Sequence, residues 1–302
     1  MSSGRAWLGF WILTFIWGSS FLFIRIGVAE LSTFQLIFIR TAIAAVGLNV
    51  MVAVQGRRLP TDRSGIRDIV FLGVVNTAVP FALITWGEKT VESGLAALLQ
   101  ATSALFTLVL AHFMFADERM TSRTVAGLLF GFGGVVILAS RSLGGEGSSP
   151  GTGHLLGQLA IVAASLCYAV GGTYSRRAMQ RRLSPIVVAA GTMTVTAAMS
   201  GVLSVLAPLA GGSPPTPMGA LTPTVLAAVV TLGVLNTFVA YLIFYSIIET
   251  LGAARASMVT YAIPAVGLAL GTVFLAEPFD TRLMVGAVMV VGSIGIVNLW
   301  RI

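Results

Sequence analysis

Apolar residues run along this chain in blocks of about twenty, each closed by a short polar stretch. Ten blocks can be marked: 6–28, 32–54, 66–86, 93–115, 124–140, 154–174, 185–209, 223–247, 252–275 and 281–300. A helix rising 1.5 Å per residue needs roughly 20 apolar residues to cross the hydrocarbon core of a bilayer. The blocks are apolar all round and rich in Ala, Leu, Val and Gly, rather than alternating apolar and polar. They therefore predict membrane-spanning helices and exclude a β-barrel. The fifth block is short, and the seventh carries Pro208 near its end. Only 141–153 and 210–222, among the links, are rich in Gly, Ser and Pro, and neither is long enough to form a domain. The start, Met1-Ser2-Ser3-Gly4-Arg5, has the shape of a signal peptide. No small-x-small cleavage site follows, so the first block is read as a retained helix.

Composition agrees with the pattern. Hydrophobic residues make up 56% of the 302 residues and charged ones only 10%, against about a quarter in soluble domains; the mean hydropathy is +0.94. No charged residue occurs between Leu183 and Ile248. A soluble enzyme, a disordered chain and a nucleic-acid binder are excluded, because a soluble domain of this size cannot bury so much apolar surface. The net charge of +7 comes from short basic clusters between blocks. With the N-terminus inside, the inner links hold Arg5, Arg57, Arg58, Arg63, Arg67, Arg119, Arg123, Arg176, Arg177, Arg181, Arg182 and Arg301, and the outer ones only Arg25, Lys89, Arg141 and Arg282. This bias predicts cytoplasmic termini, which an even number of spans satisfies. Cys167 is a lone small residue in an apolar run, and His112 and His154 lack metal-ligand spacing with any carboxylate or thiol. Neither a metal nor a cofactor is expected.

The two halves resemble each other. Leu72-Gly73-Val74-Val75-Asn76-Thr77 matches Leu232-Gly233-Val234-Leu235-Asn236-Thr237 at an offset of 160. Further on the offset is 159: Glu118 pairs with Glu277, Arg123 with Arg282, Gly127 with Gly286 and Gly133 with Gly292. Leu31-Ser32 pairs with Leu183-Ser184. Five spans per copy is an odd number, so the second copy enters from the opposite face. The expected fold is an all-α membrane protein of ten transmembrane helices built from two inverted five-helix repeats, 1–140 and 154–302, with 141–153 as the linker. Inverted repeats are the architecture of many secondary transporters; a duplicated scaffold without transport is the alternative.

The pattern Trp17-Gly18-Ser19-Ser20-Phe21 in the first block, Arg40 in the second, Glu118-Arg119 before the fifth and the duplicated unit resemble the drug/metabolite transporter superfamily. Within it the chain looks like the EamA family and its YddG-type amino-acid exporters. The likeness covers essentially the whole chain. It implies export of small metabolites, amino acids first, across the bacterial inner membrane by alternating access. It also implies a central cavity lined by blocks 1, 3, 4, 6, 8 and 9, with 5 and 10 at the periphery. Related small multidrug pumps carry an acid in the first span for proton exchange, where this chain has Thr14, Trp17, Ser19 and Ser20. That departure argues against proton antiport by that route and against a site tuned for cationic drugs. Nucleotide-sugar or sugar-phosphate transport would need several cavity cations.

Intramembrane charge is expensive, so each case needs a reason. Arg40 lies about eight residues into the second block, roughly 12 Å deep; it either meets a substrate carboxylate or clamps helix-end carbonyls. Arg255 is near a span end and is expected to snorkel. Glu88, Glu92, Asp117, Glu118, Glu249, Glu277 and Asp280 all fall at span ends, and Glu118 and Glu277 are expected to cap the helices they precede. The candidate substrate-binding residues are Trp17, Arg40, Asn76, Trp86, Gln100, Tyr168, Asn236, Tyr241, Tyr245 and Tyr261. Amides, hydroxyls and aromatic faces suit a zwitterionic or amphipathic metabolite, with cation–π attraction for an ammonium group. Against this, Asn and Thr in membrane helices often bond a neighbouring helix, and Trp and Tyr near span ends anchor at the interface. Gly94, Ala97, Ala101 and Ala104, and the pair Gly127 and Gly131, are small-residue stripes that favour close helix packing. Pro80 and Pro264 remove backbone hydrogen bonds inside spans and predict kinks. No enzyme is expected, since His112 is the only histidine within a span and no Gly-x-Ser-x-Gly sequence occurs. The expected partners are a small-molecule substrate and the lipid bilayer, with no nucleic acid. A monomer suffices, because ten helices can enclose a cavity.

Overall fold

The computed structural model describes residues 3–114, 120–140, 152–179, 183–252, 256 and 258–298. Asp117, Glu118, Arg119, Arg141, Arg181, Arg182, Arg255, Ser257, Arg301 and most of the linker 141–153 lie outside them, as do the side chains of Arg123, Arg176 and Arg177. The described chain is helical: α1 (Ser3–Gly27), α2 (Thr33–Val54), α3 (Arg63–Gly87), α4 (Ser93–Met114), α5 (Ser122–Ser140), α6 (Thr152–Met179), α7 (Pro185–Leu206), α8 (Pro223–Leu251), α9 (Val259–Leu275) and α10 (Thr281–Asn298). Seven of these provide apolar stretches of 22 to 29 residues, long enough to cross a membrane; α5, α9 and α10 are shorter and equally apolar. The protein is a multi-pass membrane protein.

Local chemistry sets the helix ends. Ser32 accepts from the Gln35 N–H at the start of α2, Asp62 from Gly65 at α3, Thr222 from Val225 at α8 and Asp280 from Leu283 at α10. Each satisfies an amide that the first turn leaves without a partner. Asp62 is exposed, and its bonds to Ser64 and Gly65 hold its carboxyl below the ordinary range. Gly252 takes φ 85°, a conformation that side chains resist, and so ends α8.

Packing obeys the internal repeat. α1 packs on α8 and α9, and its counterpart α6 packs on α3 and α4. α2 meets α8 as α7 meets α3, while α2 with α7 and α5 with α10 pair across the pseudo-symmetry. The α2–α7 seam is built from Ala44, Ala45 and Leu48 against Ile186, Ala189, Ala190 and Met193. The α5–α10 seam relies on small residues: a Cβ on Gly134 would meet Met289 and the Gly286 carbonyl, and one on Gly131 would meet Ser293.

The motif shared by the halves produces a shared irregularity. Val74–Ala78 in α3 and Val234–Val239 in α8 are π-helical. A wide turn leaves carbonyls without the usual i+4 partner, and the Thr237 hydroxyl donates to the Leu232 carbonyl at 2.8 Å across five residues. Pro80 follows the first wide turn, but Ala240 stands at the matching place in α8, so the proline is not the cause. α4 is interrupted at Ala101. There the Leu99 carbonyl accepts from Thr102 at 2.6 Å, and Ser165 of α6 reaches the Leu99 and Gln100 carbonyls at 3.2 Å. Irregular backbone at this depth persists where protein groups satisfy it.

Candidate functional site

The bundle encloses a cavity of about 890 Å³. At one end it reaches Ala111, Ser175, Pro185, Ile248 and Met258, which belong to the face on which α1 begins, here the near face. Thr107 and Thr260 are exposed there. The other end stops at Ile24, Arg40, Ile84 and Ala97. Beyond it Leu31, Leu36, Glu88, Val91 and Ser93 are at most 2% exposed. Among the described residues the cavity is open toward the near face and sealed at the far face.

Arg40 stands at the sealed end and is 7% exposed. Its Nε donates to Thr237 Oγ1 at 2.8 Å, and its Cζ lies 4.2 Å from the Phe81 ring centroid. Thr237 thus links the π-helical turn of α8 to the cavity cation. Arg40 is the one charged side chain among the described residues that line the cavity, and Tyr168 and Tyr241 neighbour its guanidinium. One wall is aromatic: Trp17 packs on Phe244 at 5.1 Å and edge-on to Tyr241 at 6.3 Å, and Tyr241 on Tyr245 at 5.9 Å. Gln100, beside the break in α4, lies within hydrogen-bond reach of Tyr168 opposite.

The two motif asparagines sit against matching helices of the two halves. Asn236 Nδ2 donates to the Ile16 carbonyl and to Ser19 and Ser20 of α1, the last two at 3.0 and 3.1 Å. Asn76 lies against Gly171 of α6, where an added Cβ would come within 2.3 Å of Asn76 Oδ1. The 152-residue shift that pairs Ser32 with Ser184 also pairs Ser19 with Gly171, so the contacts are counterparts.

Of the ten residues singled out from the sequence, Trp17, Arg40, Asn76, Gln100, Tyr168, Asn236, Tyr241, Tyr245 and Tyr261 line one cavity. Trp86 does not. It is 46% exposed at the end of α3, where an indole suits the membrane interface. The walls also include α2 and α7, through Arg40, Val188 and Thr192, whereas α5 and α10 contribute none of the described lining residues. Phe81 and Phe244 were not legible as cavity residues, because a phenyl ring reads the same whether it meets lipid or cargo. The acids need correction too. Glu277 does not cap the helix it precedes, since Asp280 does that. Its two oxygens accept from the Ser93 and Gly94 amides at 2.6 and 2.9 Å, capping α4 from the other half. The N-terminus of α4 is buried and needs an anionic acceptor.

Over residues 5–140 and 155–299 the chain matches the model of the EamA-like transporter family. The chain belongs to the EamA-like transporter family. This EamA-like transporter is 28% identical over 293 residues to an uncharacterized transporter of Archaeoglobus fulgidus, covering 97% of this chain and 98% of the relative. It is 26% identical over 290 residues to a probable terminal-alkyne amino-acid exporter of Streptantibioticus cattleyicolor, covering 95% and 91%. A crystal structure at 22% identity superposes on the EamA-like transporter with a TM-score of 0.68 over 99% of this chain and 98% of the other, a likeness of fold. Family and relatives alike are named as transporters, not enzymes.

Proposed function

We propose that this transporter is a secondary exporter of neutral amino acids or related amphipathic metabolites, working by alternating access in the bacterial cytoplasmic membrane. The observation that carries this reading is Arg40: one fixed, nearly buried cation at the sealed end of an otherwise uncharged, aromatic-walled cavity. A guanidinium whose Nε and ring face are engaged keeps its outer N–H groups for a carboxylate. Trp17 and Tyr241 offer π faces to an ammonium group, and the apolar wall accommodates a side chain. The named activity of the Streptantibioticus relative points the same way. The bias of Lys and Arg supports a cytoplasmic near face; in that orientation the cavity opens where an exporter collects cargo. The volume of about 890 Å³ also fits larger ligands, since drug-sized pockets run roughly 300–1,000 Å³; export of bulky amphipathic compounds is the second reading.

Efflux from proteoliposomes loaded with mixed amino acids tests the proposal, with and without a pH gradient. Release above protein-free liposomes, sharply reduced by Arg40→Gln in protein that still folds, is the expected result. No amino-acid release, with efflux of bulky drug-like amphipathic compounds that Arg40→Gln leaves intact, would overturn the amino-acid reading in favour of the second.

A further inference from the structure

Glu88 occupies the turn that closes α3 at the far face. It lies one helical turn beyond Ile84 at the sealed end of the cavity, and it is 0% exposed. Neither carboxylate oxygen has a hydrogen-bond partner among the described residues. Its backbone carbonyl, by contrast, accepts from the Arg25 guanidinium. The surrounding charges come from every side: Arg25 from α1, Arg40 from α2, Glu277 from the α9–α10 connection. On α6 His154 is paired with Glu92 at 3.0 Å, and Lys89 in the same turn is exposed. An ionised carboxylate without partners is too costly to bury, so such a group takes up a proton instead. Burial holds the Glu88 carboxyl well above the ordinary range and Glu277 adds to this, while Arg25 and Arg40 oppose it.

We propose that Glu88 is a proton-binding site built into the far gate: protonated and buried while that face is sealed, ionised and hydrated when it opens. The inference rests on the alternating-access reading. The sealed form then holds one more proton than the open form. Acid on the far side therefore favours the sealed, near-open form, and the preference fades as pH rises through the sealed-form value. The proton binds and leaves as H⁺ to far-side water, with no covalent change elsewhere. Because Glu88 does not line the cavity in this form, its proton belongs to the gate and not to the cargo. Glu92 serves less well as this site, since its carboxylate already has His154 as a partner.

Spin labels at Ala29→Cys and Phe279→Cys, both exposed on the far face, in a Cys167→Ala background report the separation of the two halves there. Distance distributions are measured on the whole chain in lipid nanodiscs from acid to mildly alkaline pH. A single short distance in acid, joined by a longer one as pH rises, is expected for the parent. Glu88→Gln, a neutral isostere, should keep the short distance throughout, and Glu88→Asp should restore a pH response with a shifted midpoint. His154→Gln should leave the response in place. The proposal is overturned by a pH-independent parent, by a Glu88→Gln profile matching the parent, or by loss of the response in His154→Gln alone. Amino-acid efflux is scored separately, so a failed cargo assay with an intact gate response would sink the exporter reading and spare the proton site.

Discussion

Gly171 and Gly172 are neighbours on α6 with opposite surroundings. A Cβ at Gly171 would fall 2.3 Å from Asn76 Oδ1, whereas at Gly172 it would meet nothing within 4 Å. Gly171→Ala should therefore cost about 1–3 kcal/mol by overpacking, while Gly172→Ala is close to neutral. Thermal melting of the two purified variants gives the comparison directly. Arg40 makes a second contrast. Its hold depends on a planar guanidinium that stacks on Phe81 and donates sideways to Thr237. Lysine offers a point charge without that fork. Arg40→Lys should raise the KM for amino-acid efflux by about tenfold or more, a charged hydrogen bond being worth roughly 1.5–3 kcal/mol. The exceptional polar residues were legible in the sequence because amides and charges in apolar runs stand out. Trp86 and Glu88 were less legible: an indole at a span end serves lipid headgroups as readily as a ligand, and an acid at a span end carries no sign in the letters of its burial.

At the scale of helices, the sequence marks where spans lie but not how they bend. Apolar residues all round a helix announce a membrane span and carry no sign of which face meets lipid. The repeat Leu-Gly-Val-x-Asn-Thr was visible as a repeat. That it winds as a π-helix in both halves follows from hydrogen bonds that the letters do not display. Wide turns inside α-helices are frequent at functional sites, and here one positions Thr237 against Arg40. Thr237→Val should lower stability by about 1 kcal/mol through the orphaned bonds and slow efflux, readable as a lower melting temperature with reduced flux. The α4 terminus offers a cleaner case. Glu277 caps it from the opposite half, so Glu277→Ala should cost about 0.5–2 kcal/mol, the range for a lost N-cap. In Asp280→Ala the deficit should fall on α10 instead, and amide exchange resolved along the chain tells the two apart.

The whole molecule is a pair of near-copies sealed unequally. On the far face Glu30 accepts from the Thr222 amide and hydroxyl, both at 2.8 Å, and Gln35 exchanges two bonds with the backbone of Thr216 at 2.6 and 2.8 Å. These bonds tie the α1–α2 turn of one half to the α7–α8 connection of the other, and in the alternating-access mechanism proposed above, opening that face breaks them. Even two, at about 1 kcal/mol net apiece, would hold the far-open form to roughly 3% of the empty carrier. A ligand arriving from the far side can bind only that fraction, so its apparent affinity is diluted accordingly, while one arriving from the near side finds its site already formed. The two directions of transport then differ in half-saturation even though the final equilibrium across the membrane is the same. Concentrations that fill the carrier from its near side should leave it almost empty from the other, and Glu30→Ala, by loosening the strap, should draw the two values together.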